Sequence, residues 1–129
     1  VYSYVGCVLG HSHDPDHLRG PDVSYVSKEK LDGSGGEPAR GWFRVIPDLV
    51  VEVDSPSRRP AIEQRRIQDY LDAGVRSLWV IHTDAASATM YHADGSARLV
   101  RRREALEGDP VLPGFRLPLA RLFPEEDGG

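Results

Sequence analysis

Apolar residues along the chain fall into short runs separated by breaks rich in Gly, Pro and Asp, and the runs carry two different periods. Residues 2–9 (YSYVGCVL) read as a strand, and 10–20 (GHSHDPDHLRG) as a loop. In PDVSYVS, Val23 and Tyr25 alternate with Ser24 and Val26, which predicts a short strand. Residues 28–41 (KEKLDGSGGEPARG) are polar and glycine-rich and are expected to form a flexible connection. Residues 48–53 (DLVVEV) form the apolar run of a strand covered on both faces. The SPSRRP segment is a helix-start signal, with Ser57 as a cap and Pro60 in the first turn. The spacing predicts a helix from Pro60 to Ala73, with Ile67, Tyr70, Leu71 and Gly74 on its inward face and Gly74 as its stop.

After the helix, SLWVIH (77–82) predicts a central strand. SATMYH (87–92) alternates and runs into the turn Asp94-Gly95, so it should form a hairpin with ARLVRRR. The tail VLPGFRLPLARLF, with its prolines and spaced leucines, is expected to cross the core in extended form before an acidic end. A helix between the third and fourth strands implies a crossover in a mixed sheet. The fold class is therefore α/β (α+β), a layered fold in one domain over residues 1–129. The chain opens mid-strand at Val1 without a Met, and a preceding N-terminal piece is expected.

Composition narrows the function. The chain has 129 residues, 40% hydrophobic and 28% charged, ordinary for a soluble globular domain. No run approaches the roughly 18 apolar residues of a membrane span, and the first residues lack the basic lead of a signal peptide. The single Cys7 rules out an intramolecular disulfide; in its apolar run it reads as a buried thiol, and a cytoplasmic setting fits. A net charge of −4 argues against a general nucleic-acid coat. An acidic metal site can still work on DNA, because the ion inverts the local charge.

The chemistry gathers at two Pro-Asp steps, Pro21-Asp22 and Pro47-Asp48. In a strand, residues 48, 50, 52 and 54 point to one face. Glu52 thus sits in a run that should be buried, where a lone carboxylate needs a cation, a donor or a metal. If the strands of Asp22 and Glu52 pair, the two carboxylates converge and can hold a hard cation such as Mg²⁺. Such an ion would activate water against a phosphodiester. The plainer alternative is that Asp22 caps a turn and Glu52 pairs with an arginine.

The combination GPDVSYVS, PDLVVEVDSPS, YLDAGVRSLWVI, YHADG and VLPGFRLPLARLF, from Pro21 to Phe123, resembles the Uma-two family of restriction-endonuclease-like proteins. That family belongs to the nuclease superfamily named for its PD-(D/E)XK motif. The resemblance implies a restriction-endonuclease-like mixed sheet flanked by helices, with an N-terminal helix before the chain given. It also implies a divalent-metal-dependent endonuclease acting on DNA with Mg²⁺ or Mn²⁺, and a homodimer. Asp22 matches the Asp of the first PD, Glu52 matches the Glu of E-x-K, and the Val53 carbonyl is the natural third metal ligand. Asp54 stands where the superfamily places lysine. In this family that lysine often moves to the following helix, four residues before the Tyr of Tyr-Leu-x-Ala-Gly-Val, a position held here by Arg66.

A guanidinium at Arg66 can stabilise phosphate charge but cannot act as a base. Gln64 is a second polar residue near the inward face that could orient water. The alternative for Arg66 is a surface pair with Glu63 or Asp69. Asp54 is either a third carboxylate ligand or a residue beyond the strand end that points to solvent, and Asp48 reads as the residue that opens the strand. The Asp54 and Arg66 substitutions also motivate an alternative function: a catalytically degenerate module that binds nucleic acid or protein without cleavage.

Three further patterns read more simply as structure than as chemistry. His11, His13 and His17 have zinc-like spacing but no supporting cysteine, and read as an exposed loop. Arg98 and Arg101 to Arg103 form a basic run, read as a solvated hairpin edge before a DNA-phosphate contact. Trp42 and Phe43 read as packing rather than base stacking.

Overall fold

The computed structural model describes residues 2–3, 6–8, 18–19, 22–33, 42–43, 45–54 and 59–124. In chain order its elements are β1 (Tyr2–Ser3), β2 (Gly6–Val8), β3 (Leu18–Arg19), β4 (Val23–Tyr25), α1 (Lys28–Gly33), β5 (Trp42–Phe43), β6 (Leu49–Asp54) and α2 (Pro60–Ala73). There follow β7 (Ser77–His82), β8 (Ser87–His92), β9 (Ala97–Val100), β10 (Ala105–Glu107), β11 (Arg116–Pro118) and a 3₁₀ turn at Leu119–Arg121.

The main sheet runs β1-β4-β6-β7-β8-β9. Only β6 and β7 are parallel, joined by α2 as the expected crossover; their neighbours are antiparallel. Because both faces of β6 and β7 are covered, both strands are apolar in continuous runs rather than in alternation. Val50, Leu78 and Val80 pack under Ile67, Tyr70 and Val75 on the α2 face. Leu49, Trp79 and Ile81 face the other way, into a second core with Ala88, Met90, Val100, Leu106 and Leu119. Each fully buried aliphatic or aromatic side chain here contributes about 1.5–3 kcal/mol.

Helix α2 occupies the predicted span, with Pro60 at its first position. The cap is Arg59 without a side-chain hydrogen bond rather than Ser57, which lies outside the described residues. Gly74 (φ 105°) ends the helix: its N–H donates to Leu71 O while Val75 N donates to Tyr70 O, a closing pair that needs the left-handed conformation. Gly74 is therefore exposed at the end of the helix instead of sharing the inward face, which Glu63, Ile67 and Tyr70 form. The Asp94-Gly95 hairpin forms as expected, with Tyr91 opposite Ala97 and Ala88 opposite Val100.

Four expectations are corrected. The 2–9 segment contains two short strands in different sheets: β1 joins β4, while β2 pairs with β3 and β5. The 10–20 loop contains β3. The connection after β4 begins as a helical turn, because Ser27 caps it through its hydroxyl and carbonyl, and Lys30 Nζ reaches Ile46 O at 2.9 Å. The tail contains β11, which turns back to pair with β10 ahead of it instead of making a single extended crossing, and Leu106 and Leu119 both enter the second core. Its bend requires Gly108, where a Cβ would come within 2.6 Å of Leu112 O. The histidines of the first loop lie outside the described residues, as do the side chains of Cys7, Trp42 and Phe43.

Candidate metal centre and its arginine

The site forms where β4 stops short of β6. Pairing of the two strands ends at Val23 opposite Val51. Beyond it, Asp22 replaces the missing strand with its side chain: Oδ2 accepts the Val53 N–H at 2.7 Å. A strand residue that exchanges hydrogen bonds across an edge presents its N–H and C=O on the same side. The Val53 carbonyl therefore faces the edge occupied by Asp22. The structure thus brings together the backbone of Val53 and the carboxylate of Asp22.

Glu52 lies on the α2 face and is only 2% exposed. The helix supplies its partners. Arg66 Nη2 donates to Oε1 at 2.7 Å, and the Tyr70 hydroxyl donates to the same oxygen at 2.7 Å. The other oxygen, Oε2, is buried with no hydrogen-bond partner among the described residues. Burial pushes the Glu52 carboxyl above its ordinary range, Tyr70 and Arg66 pull it back, and the charge of Asp22 pushes it up further. Burial also opposes the charge on Arg66, but Glu52 and Tyr70 beside it hold the guanidinium above its usual range.

Glu52 does pair with an arginine, and that arginine is the one at the relocated-lysine position. It does not sit on the surface with Glu63 or Asp69 alone; its side chain is 16% exposed. Gln64 is exposed on α2, apart from the hydrogen bonds made to Glu52. Asp54 is the last residue of β6 rather than past its end, and it is only partly exposed, beside His82 on β7. Its Oδ2 lies 3.3 Å from His82 Nδ1, and His82 Nε2 lies 2.9 Å from Thr89 Oγ1.

Sequence reasoning treated Tyr70 as core, named Glu63 only as a surface partner for Arg66, and did not weigh His82. Glu63 is buried one turn before Ile67; burial and then this carboxylate raise the Tyr91 hydroxyl. The signal was available, since 63, 67 and 70 share a helical face. Asp48 is buried as a structural residue: it accepts the Ser27 N–H at 2.8 Å and lies 3.4 Å from Lys30 Nζ. The basic run holds intrachain partners, Arg98 with Glu104 and Arg102 Nε with Phe123 O. The opposite sheet face carries an apolar groove of about 470 Å³ between Val51, Val53, Trp79, Leu106 and Phe115.

A mixed sheet with a crossover helix joining its two parallel strands is the framework of the restriction-endonuclease-like class. The chain belongs to the Uma2 family: the family model, described as "putative restriction endonuclease", matches residues 2–120. Its fold matches a solved protein from Anabaena variabilis ATCC 29413, described as "a putative nuclease belonging to DUF820". The two share 21% identity with a TM-score of 0.77, over 95% of this chain and 66% of the other, so this chain spans just under two thirds of its neighbour. No curated protein matches the chain. Among the described residues, no helix is long and apolar enough to cross a membrane.

Proposed function

We propose that this chain is a divalent-metal-dependent endonuclease that hydrolyses DNA phosphodiester bonds. The carrying observation is the buried Glu52 Oε2, a carboxylate oxygen without a partner among the described residues, beside the charge of Asp22. A buried anion left half-satisfied is costly, and a hard cation is the partner that fits an all-oxygen set. Asp22, Glu52 and the Val53 carbonyl would hold Mg²⁺ or Mn²⁺. When bound, the ion would supply a polarised water and charge neutralisation at the phosphate.

The protein groups have separate tasks. Tyr70 orients Glu52 by fixing Oε1. Asp22 ties its own carboxylate to the Val53 backbone, so two of the ligands are positioned by one hydrogen bond. Arg66 carries a permanent charge for the phosphate and takes no proton from water. Incubation of supercoiled plasmid with the protein and Mn²⁺ should give nicked product, and Glu52→Ala should abolish it. Equal cutting by the parent and Glu52→Ala would refute the assignment. The homodimer suggested by the family is tested by gel filtration at high concentration.

A second reading has its own observation. Asp54, at the superfamily's lysine position, faces His82, and Arg66 is bound to Glu52, so neither position offers a lysine. A degenerate module that binds without cleaving would show no Asp22-dependent affinity for Mn²⁺.

A further inference from the structure

This inference rests on the metal-site reading and concerns what Arg66 does before an ion arrives. Among the described residues the guanidinium is held by a single hydrogen bond, Nη2 to Glu52 Oε1 at 2.7 Å. Its Nε is buried with no partner. The bidentate grip that locks an arginine onto a carboxylate is not formed. Glu52 likewise has one oxygen engaged and one bare. Glu52, Asp22 and the nearby Glu63 against Arg66 leave the surroundings net negative.

We propose that Arg66 is a displaceable counter-ion: it neutralises Glu52 in the ion-free protein, yields the carboxylate to a divalent cation, and is thereby freed for the substrate phosphate. A divalent ion taken up at Oε2 would lie beside the guanidinium on Oε1, and the two like charges repel, because a few ångströms of protein screen charge less than water does. The same residue then sets the threshold for metal binding and couples it to the readiness of the site for an anion. Arg66 acts here as a positioning residue, and its effect is read in binding rather than in turnover.

The test is calorimetric titration of Mn²⁺ into the parent protein, Arg66→Gln, Arg66→Lys and Asp22→Asn. Arg66→Gln should tighten Mn²⁺ by about tenfold or more, while Arg66→Lys, which keeps a cation in place, stays within about threefold of the parent. Unchanged or weaker Mn²⁺ binding by Arg66→Gln would overturn the proposal. A second measurement needs no variant to fold. In a Mg²⁺ titration of the parent protein, the Arg66 guanidinium NMR signals should shift, and Nη rotation should speed up, at the same midpoint as binding. An Arg66 signal indifferent to Mg²⁺ would also overturn it. Asp22-dependent binding that ignores Arg66 removes only the displacement and leaves the nuclease reading standing. Absence of Mn²⁺ binding in the parent and both Arg66 variants removes both.

Discussion

Removal of one oxygen atom, by Tyr70→Phe, probes the site without emptying it. Tyr70 is fully buried, and its ring packs in the α2 core. The phenyl ring retains those contacts, and the substitution removes the 2.7 Å hydrogen bond to Glu52 Oε1. That bond is the strongest influence pulling the Glu52 carboxyl down against burial. A hydrogen bond to a charged group contributes about 1.5–3 kcal/mol, against about 1 kcal/mol for a neutral one. At pH 7.5 without metal, the variant should therefore lose about 2 kcal/mol. In a chain of 129 residues this lowers Tm by about 7 °C. Because burial raises the Glu52 carboxyl, acidification favours its protonated form, and at pH 4 the difference between variant and parent should shrink toward that of a neutral hydrogen bond. Thermal unfolding followed by circular dichroism at both pH values measures this. An equal loss at both pH values, or no loss at pH 7.5, would refute a charged Glu52 held by Tyr70.

Two further outcomes follow from the same contacts. The raised Glu52 carboxyl binds its proton more tightly in the folded state, so its contribution to stability is complete below pH 4.5 and is lost as pH rises through its elevated folded value. Urea midpoints of the metal-free protein should fall across that window, and Glu52→Gln should remove this part of the slope. Asp48→Ala should cost about 2 kcal/mol, because it strands the half-buried Ser27 N–H and empties a buried carboxylate position; the solvent-facing Lys30 and Arg76 ion pairs add little. Mn²⁺ affinity of that variant should match the parent, since Asp48 opens β6 at the end opposite Glu52.

The elements with a clear period were legible from sequence. The α2 span, its glycine stop, the Asp94-Gly95 hairpin and the doubly covered strands β6 and β7 all follow from local spacing and turn chemistry. So did the suspicion about Glu52, because a carboxylate inside an apolar strand announces an unmet electrostatic need. The β10–β11 hairpin was not legible, since its strands are three residues each and proline-flanked. Nor was the turn at Lys28–Gly33, whose support comes from Ile46 and Asp48, more than a dozen residues away.

The sequence by itself determined which residues carry charge and which strand buries one: the order of elements, the face shared by 48, 50, 52 and 54, and the helical position of Arg66 are consequences of period and spacing. Only the tertiary structure decided how that charge is met. Which oxygen of Glu52 is engaged, that Tyr70 shares it with Arg66, that Asp22 extends a ladder where its strand ends, and that Asp54 turns to His82 all depend on strand register and helix placement. Register and placement are set by packing over the whole sheet. A shift of one residue in β6 would move Glu52 to the opposite face and dissolve the site without changing a single side chain.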